Sequence, residues 1–122
     1  MMNIQESGQM YLETILVLSR EKANVRSIDV VNYTGYSKPS VSRAMGILKN
    51  GGMINVDADG YIHLTEEGKR VAEDVYARHG ILTKALTLLG VSQETAEEDA
   101  CRIEHYISSE TVECLKKFIE NK

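Results

Sequence analysis

The sequence is poor in the features that mark secreted, membrane-bound or linker-rich chains. Only two cysteines occur in 122 residues, Cys101 and Cys114. They fall in what read as two consecutive helices, give no disulfide framework, and fit a reducing compartment. No apolar run approaches the roughly 18 residues that a bilayer span requires, so no membrane role is expected. The N-terminus, MMNIQESGQM, has neither a basic start nor an apolar stretch. No secretion signal is read there, and the expected location is the cytoplasm. Pro39 is the one proline. Repeats, low-complexity stretches and long linkers are missing too.

What remains is an ordinary globular composition, 43% hydrophobic and 26% charged, which argues against disorder. The length suits one small domain and a second module rather than two large cores. Net charge is -4, which by itself speaks against a polyanionic partner, but the charges are segregated. Residues 22–50 hold Lys22, Arg26, Lys38, Arg43 and Lys49 against Asp29 alone. Residues 64–122 hold eight Lys and Arg against twelve Asp and Glu. A basic segment able to meet phosphate therefore lies beside an acidic one that could meet a cation or simply be solvated.

Periodicity gives the order of elements. Ile4, Gly8, Tyr11, Leu12, Ile15 and Leu18 recur at helical spacing and predict a helix from about Ile4 to Glu21. A second helix is expected from Ser27, read as its N-cap, to Thr34-Gly35. A third opens at Ser37 with Pro39 in its first turn, and buries Val41, Ala44, Met45 and Leu48. The period then changes to two: Ile54 and Val56, a turn at Asp57-Ala58-Asp59-Gly60, then Ile62 and Leu64, which is a hairpin. Thr65 caps a long helix to about Leu89, closed by Gly90. Ser92 caps a further helix, and a break at Ser108-Ser109 starts the last, through Val112, Leu115 and Ile119. The fold class read from this order is mainly α: a winged helix-turn-helix domain over residues 1–64, then an α-helical domain over residues 65–122.

Helix, short glycine-containing turn, helix and hairpin form the winged helix-turn-helix pattern. Its third helix would enter the major groove of double-stranded DNA. The face left free holds Pro39, Ser42, Arg43 and Gly46, with Ser37, Lys38 and Ser40 at the tip. Small residues permit close approach. Ser37, Ser40 and the first-turn amides suit a phosphate, Arg43 suits guanine O6 and N7, and Lys38 and Lys49 suit phosphate. A merely solvated polar face is the alternative for the helix alone. Tyr61 and His63 read as ordinary strand surface.

Near the C-terminal side stands Cys101-Arg102-Ile103-Glu104-His105. On a helix, Cys101, Glu104 and His105 fall at i, i+3 and i+4 and share one face, offering a thiolate, a carboxylate and an imidazole to a divalent metal. The spacing alone has modest specificity.

Taken together, these segments resemble the diphtheria toxin repressor (DtxR/MntR) family of metal-dependent regulators. The resemblance covers nearly the whole chain. It rests on Gln9-Met10-Tyr11-Leu12-Glu13-Thr14-Ile15, Ser37-Lys38-Pro39-Ser40-Val41-Ser42-Arg43, Leu64-Thr65-Glu66-Glu67-Gly68, Arg78-His79, and the run from Glu98 to His105. It implies a repressor, not an enzyme, that binds operator DNA as a homodimer through its C-terminal helices. It also implies two metal positions. One takes Met10, Cys101, Glu104 and His105; the other takes His79 and Glu97. Three departures stand out. Thr83 replaces an expected glutamate ligand, Glu13 stands where the manganese-responsive branch has a carboxylate ligand, and no SH3-like domain follows within these residues.

Two sulfur ligands favour iron(II) over manganese(II) as the expected metal, with Glu13 as the counter-argument for manganese. Singly, Met10 reads as a core gap-filler, His79 as a hydrogen-bonded surface histidine, and Cys114 as a buried small apolar residue. A winged-helix regulator without metal response and a metal-dependent enzyme or metal-buffering protein are the competing readings. The enzyme lacks any motif for a nucleophile or for phosphate chemistry.

Overall fold

The computed structural model describes residues 6–121. The expected helix start at Ile4 lies outside them. Six helices and a hairpin follow in order: α1 (Glu6–Glu21), α2 (Ser27–Thr34), α3 (Lys38–Asn50), β1 (Ile54–Val56), β2 (Ile62–Leu64), α4 (Glu66–Leu88), α5 (Gln93–Ile103) and α6 (Ser109–Glu120). The chain divides into two compact units, Met1–Glu73 and Asp74–Lys122, with the division inside α4. This is later than the 64/65 boundary expected from the end of the hairpin. The cause is local: Ala72 is fully buried in the first core, and Val71 packs against it.

In the first unit, Leu12 and Ile15 of α1, Val30 of α2, Val41 of α3 and Ile54 of β1 are fully buried. α2 starts differently from expectation. Ser27 is its first helical residue and Arg26 is the N-cap. The Asp29 carboxylate accepts the Arg26 N–H at 2.8 Å, the reciprocal bond that a residue three positions into a helix makes to its N-cap. Gly35 ends α2 at φ +76°, a left-handed conformation that glycine adopts without strain. Ser37 then caps α3 by accepting from Ser40 N.

The hairpin pairs Ile54 with Leu64, Asn55 with His63 and Val56 with Ile62. Asp57 organises its turn: one carboxylate oxygen accepts from the amides of Asp59 and Tyr61 at 2.9 and 3.0 Å. Its other oxygen meets His63 Nε2 at 3.0 Å. The His63 ring and the Tyr61 amide hold Asp57 below the usual carboxylate range. The Arg26 guanidinium lies 4.5 Å over the Tyr61 ring, a cation–π contact that ties the hairpin to the start of α2. Thr65 donates to Gly52 O at 2.7 Å and accepts from Gly68 N, capping α4 as expected.

The second unit buries Val75, Leu82 and Ala85 of α4, Ala96 and Ala100 of α5, and Val112 of α6. Ser92 and Ser108 cap α5 and α6 through the amides of Thr95 and Thr111. Cys114 is exposed, not buried as expected. Val112, two residues earlier, is the α6 residue that turns inward, and a two-residue step carries Cys114 to the other side. Among the described residues, no helix is long and apolar enough to cross a membrane.

Candidate functional site

The expected metal ligands of the second unit come from two helices and the turn after one of them. α5 ends at Ile103, and Glu104 is its C-cap, still in a right-handed helical conformation. The i, i+3, i+4 spacing therefore survives although the helix proper has stopped. Its consequence differs from a shared exposed face. Cys101 is exposed, Glu104 is 1% exposed, and the His105 side chain is 4% exposed.

His79 of α4 completes the cluster. Its Nδ1 lies 2.9 Å from Glu104 Oε2, and one ligand atom from each of His79, Cys101 and Glu104 falls within a 4.8 Å group. His105 Nε2 lies 3.4 Å from the other Glu104 oxygen. The sequence reading paired His79 with Glu97 instead. Nothing in the spacing of residues 79 and 104 could have placed them together, because their meeting depends on how α4 packs against the α5–α6 turn.

Arg78 fixes that packing. Its Nη1 donates to Ile107 O at 2.8 Å, its Nη2 to Ser109 Oγ at 3.3 Å, and its Nε pairs with Asp74 at 3.2 Å. A planar fork of donors holds the turn after Glu104 against the helix that carries His79. Nothing local in the sequence around Arg78 signals this role.

The donor set suits a divalent transition metal. Bonds of about 2.0–2.3 Å at tetrahedral angles place ligand atoms about 3.3–3.8 Å apart, so the group within 4.8 Å would draw in slightly around an ion. A buried carboxylate is costly unless positive charge compensates it, and two imidazoles reach Glu104. Imidazole, thiolate and carboxylate together match borderline ions better than magnesium or calcium.

The other expected position is leaner. His79, Thr83, Gln93 and Glu97 line a groove of about 320 Å³. Glu97 is exposed and accepts from Gln93 Nε2 at 3.1 Å. Thr83 Oγ1 is buried with no hydrogen-bond partner among the described residues. A hydroxyl and one exposed carboxylate are weak competition for the Glu104 cluster.

Met10 and Glu13 belong to the first unit. Met10 packs against its core, and its sulfur accepts from Thr14 Oγ1 at 3.7 Å. Glu13 is half-buried. Their assignment as ligands rests on the resemblance alone.

The expected DNA-facing residues Ser37, Lys38, Pro39, Ser40, Ser42, Arg43 and Lys49 are all exposed. Val41, Met45 and Leu48 occupy the opposite, buried side of α3. The helix carries no acid. Ser37 and Ser40 also bond each other, Oγ to Oγ at 2.9 Å, so a phosphate at this tip would compete with the cap.

Comparison with known proteins gives concordant results. Residues 65–122 match a family described as iron dependent repressor, metal binding and dimerisation domain. The chain is 34% identical over 110 residues to the transcriptional regulator MntR of Escherichia coli, covering 90% of this chain and 71% of that one. It is 28% identical over 122 residues to the iron-dependent repressor IdeR of Mycobacterium tuberculosis, covering 99% of this chain but 53% of the relative. Among solved structures, the manganese regulator SloR is similar with a TM-score of 0.83 at 25% identity, covering 99% of this chain and 56% of that one. A manganese-dependent transcriptional repressor in complex with manganese shares the fold, with a TM-score of 0.85 at 23% identity over 93% of this chain and 52% of that one. The chain thus spans about half the length of IdeR and of these structures.

Proposed function

The chain belongs to the DtxR/MntR family of metal-dependent transcriptional regulators, not to a family of enzymes, and from that premise we propose a manganese-responsive repressor that binds operator DNA as a homodimer. The observation that carries the metal response is the meeting of His79, Cys101 and the buried Glu104 within 4.8 Å. The choice of manganese leans on MntR, the more similar of the two curated relatives compared above.

A second reading, iron(II), is favoured by Cys101. A thiolate is a soft ligand, and manganese prefers oxygen donors. The expectation of iron(II) drawn from Cys101 and Met10 therefore stays in play, but with less support from relatives than manganese has.

When bound, a divalent ion would add positive charge at Glu104 and a common centre for the sulfur and nitrogen donors. His79 would give up its Nδ1 contact with Glu104 and ligate as neutral imidazole. Arg78 would keep α4 and the α5–α6 turn in register during that exchange. Metal can favour the DNA-competent state only by as much as it binds that state more tightly.

Dimerisation is assigned to the second unit because α6 leaves Phe118 42% exposed, and an apolar groove lies along Ala77, Gly80, Ile81 and Ile119. A second copy of the chain is the proposed cover, which makes the operator an inverted repeat. Phe118→Glu should shift the chain towards monomer in sedimentation; an unchanged dimer would place the interface elsewhere.

The deciding experiment is an anaerobic titration of DNA binding with manganese(II) and iron(II), with EDTA as control. Activation by manganese at or below the iron concentration supports the proposal. Activation by iron at lower concentration selects the second reading. DNA binding indifferent to EDTA would remove the metal response altogether.

A further inference from the structure

The second half of α3 holds Gly46, so far only one of the small residues on the free face, and Ile47, which no contact proposed above uses. Gly46 is exposed in mid-helix, and a Cβ added there would meet nothing within 4 Å. Glycine is the poorest helix residue after proline, and nothing inside the chain requires a bare backbone at this position. Beside it, Ile47 is 54% exposed. It sits one turn beyond Arg43, so the two side chains are neighbours on the helix surface.

An exposed isoleucine would ordinarily point to an apolar protein partner. Here its surroundings argue otherwise. Lys38, Arg43 and Lys49 give α3 three cations and no acid, a surface complementary to a polyanion. Duplex DNA offers an apolar counterpart in the same groove that Arg43 would read, the C5-methyl of thymine.

We infer that Gly46 and Ile47 form a thymine-reading step in α3, in which the bare backbone at Gly46 admits the duplex closely and Ile47 packs on a thymine methyl. This rests on the operator-binding function proposed above. It extends sequence discrimination to a half of the helix where no base contact is otherwise assigned. Ile47 is the specificity-determining residue, and Gly46 positions it.

The test uses a duplex selected from a randomised pool by the chain in manganese(II) chloride. Each thymine is then replaced in turn by uracil, which removes only the methyl group. One uracil position per half-site should weaken wild-type binding about fourfold, the value of one buried methyl-sized group. Ile47→Ala should bind the thymine and uracil duplexes equally. Gly46→Ala should weaken binding to every duplex about tenfold or more, while its melting temperature stays at or above that of wild type. A purely structural glycine would move the two readouts together.

Retention of the uracil penalty by Ile47→Ala, or no uracil position that matters, overturns the thymine contact. Unchanged binding by Gly46→Ala overturns the close approach. A wild-type chain that selects no duplex in manganese(II), iron(II) or cobalt(II) overturns the operator-binding proposal itself, a result distinct from either.

Discussion

In residues 1–73 the largest fully buried side chains are aliphatic: Leu12, Ile15, Val30, Val41 and Ile54. In residues 74–122 the largest fully buried side chain among those described is an acid, Glu104, while Leu88, Leu89, Tyr106 and Phe118 stand exposed. Half of the apolar residues that the second unit buries are alanines, at positions 85, 96 and 100. The contrast separates two ways of building. The first unit closes a core of large aliphatic side chains, although Ile28, Tyr33, Tyr36 and Ile47 stay exposed. The second buries an acid that two imidazoles of the chain reach and leaves Leu88, Leu89 and Phe118 out, an arrangement that compensation from outside would favour. A cation for the acid and a second copy for the hydrocarbon are the compensations proposed above.

The sharpest way to break this contrast is to remove the buried acid. Glu104→Gln should lower manganese affinity by more than the 10–100-fold typical of losing an outer-shell partner. Metal-dependent DNA binding should be lost with it. Stability of the metal-free chain should not fall, because replacing a buried charge with a neutral isostere removes a desolvation cost. Calorimetric metal titration and thermal melting of the same variant check both signs. A variant that melts lower and binds metal normally would make Glu104 a structural anchor and dissolve the comparison.

Legibility in the sequence follows the same division. The winged helix-turn-helix was readable because each of its elements announces itself locally: the Val41, Met45 and Leu48 stripe, the Gly35 stop, the Asp57-to-Gly60 turn. The cluster around Glu104 was only half readable. Cys101, Glu104 and His105 are close in sequence, but His79 joins them through packing that Arg78 secures across a separation of 29 to 31 residues. The burial of Glu104 and the exposure of Cys114 were equally hidden, since the phase of a short helix against a small core is a tertiary property. At α2, the Asp29 cap was missed because Ser27 offered a locally plausible alternative.

Two glycines on α4 sharpen the contrast within one helix. A Cβ on Gly68 would fall inside the van der Waals envelope of the Met53 carbonyl oxygen, a backbone atom that cannot step aside cheaply. Gly68→Ala should therefore destabilise the first unit by about 1–3 kcal/mol. A Cβ on Gly80 meets nothing within 4 Å, so Gly80→Ala should stabilise the helix by up to about 1 kcal/mol. Urea unfolding followed residue by residue through hydrogen exchange separates the two effects. Dissociation of the dimer by Gly80→Ala would show that the second copy seats at the groove beside it.

A smaller and more selective effect is expected on the DNA side. Arg43→Ala should cost about 1–3 kcal/mol at one base position and relax preference there, with metal affinity unchanged. Binding to a panel of single-base operator variants reads this out. A uniform loss on every sequence would make Arg43 a phosphate contact, leaving the first unit without its principal polar base reader.

The smallest expected effect tests whether the first unit is self-sufficient in its charges as well as its core. Asp29 accepts from Lys22 Nζ and from the Arg26 amide, each at 2.8 Å. The Lys22 ammonium first, then that amide, hold the carboxyl below its usual range. A carboxyl depressed in the folded state stabilises at pH above its unfolded value of about 3.9, and the contribution disappears as pH falls through the depressed folded value. Its size should be that of an acid in a first helical turn, about 0.3–1 kcal/mol, and the Lys22 share should shrink in salt because that side chain is 47% exposed. Asp29→Asn should therefore flatten the acid limb of unfolding for α2 as pH falls below about 4, and leave the protection of α5 and α6 unchanged. If wild type and variant lose α2 protection in parallel as pH falls, the Lys22–Asp29–Arg26 clamp contributes nothing, and the order at the start of α2 comes from the burial of Val30 alone.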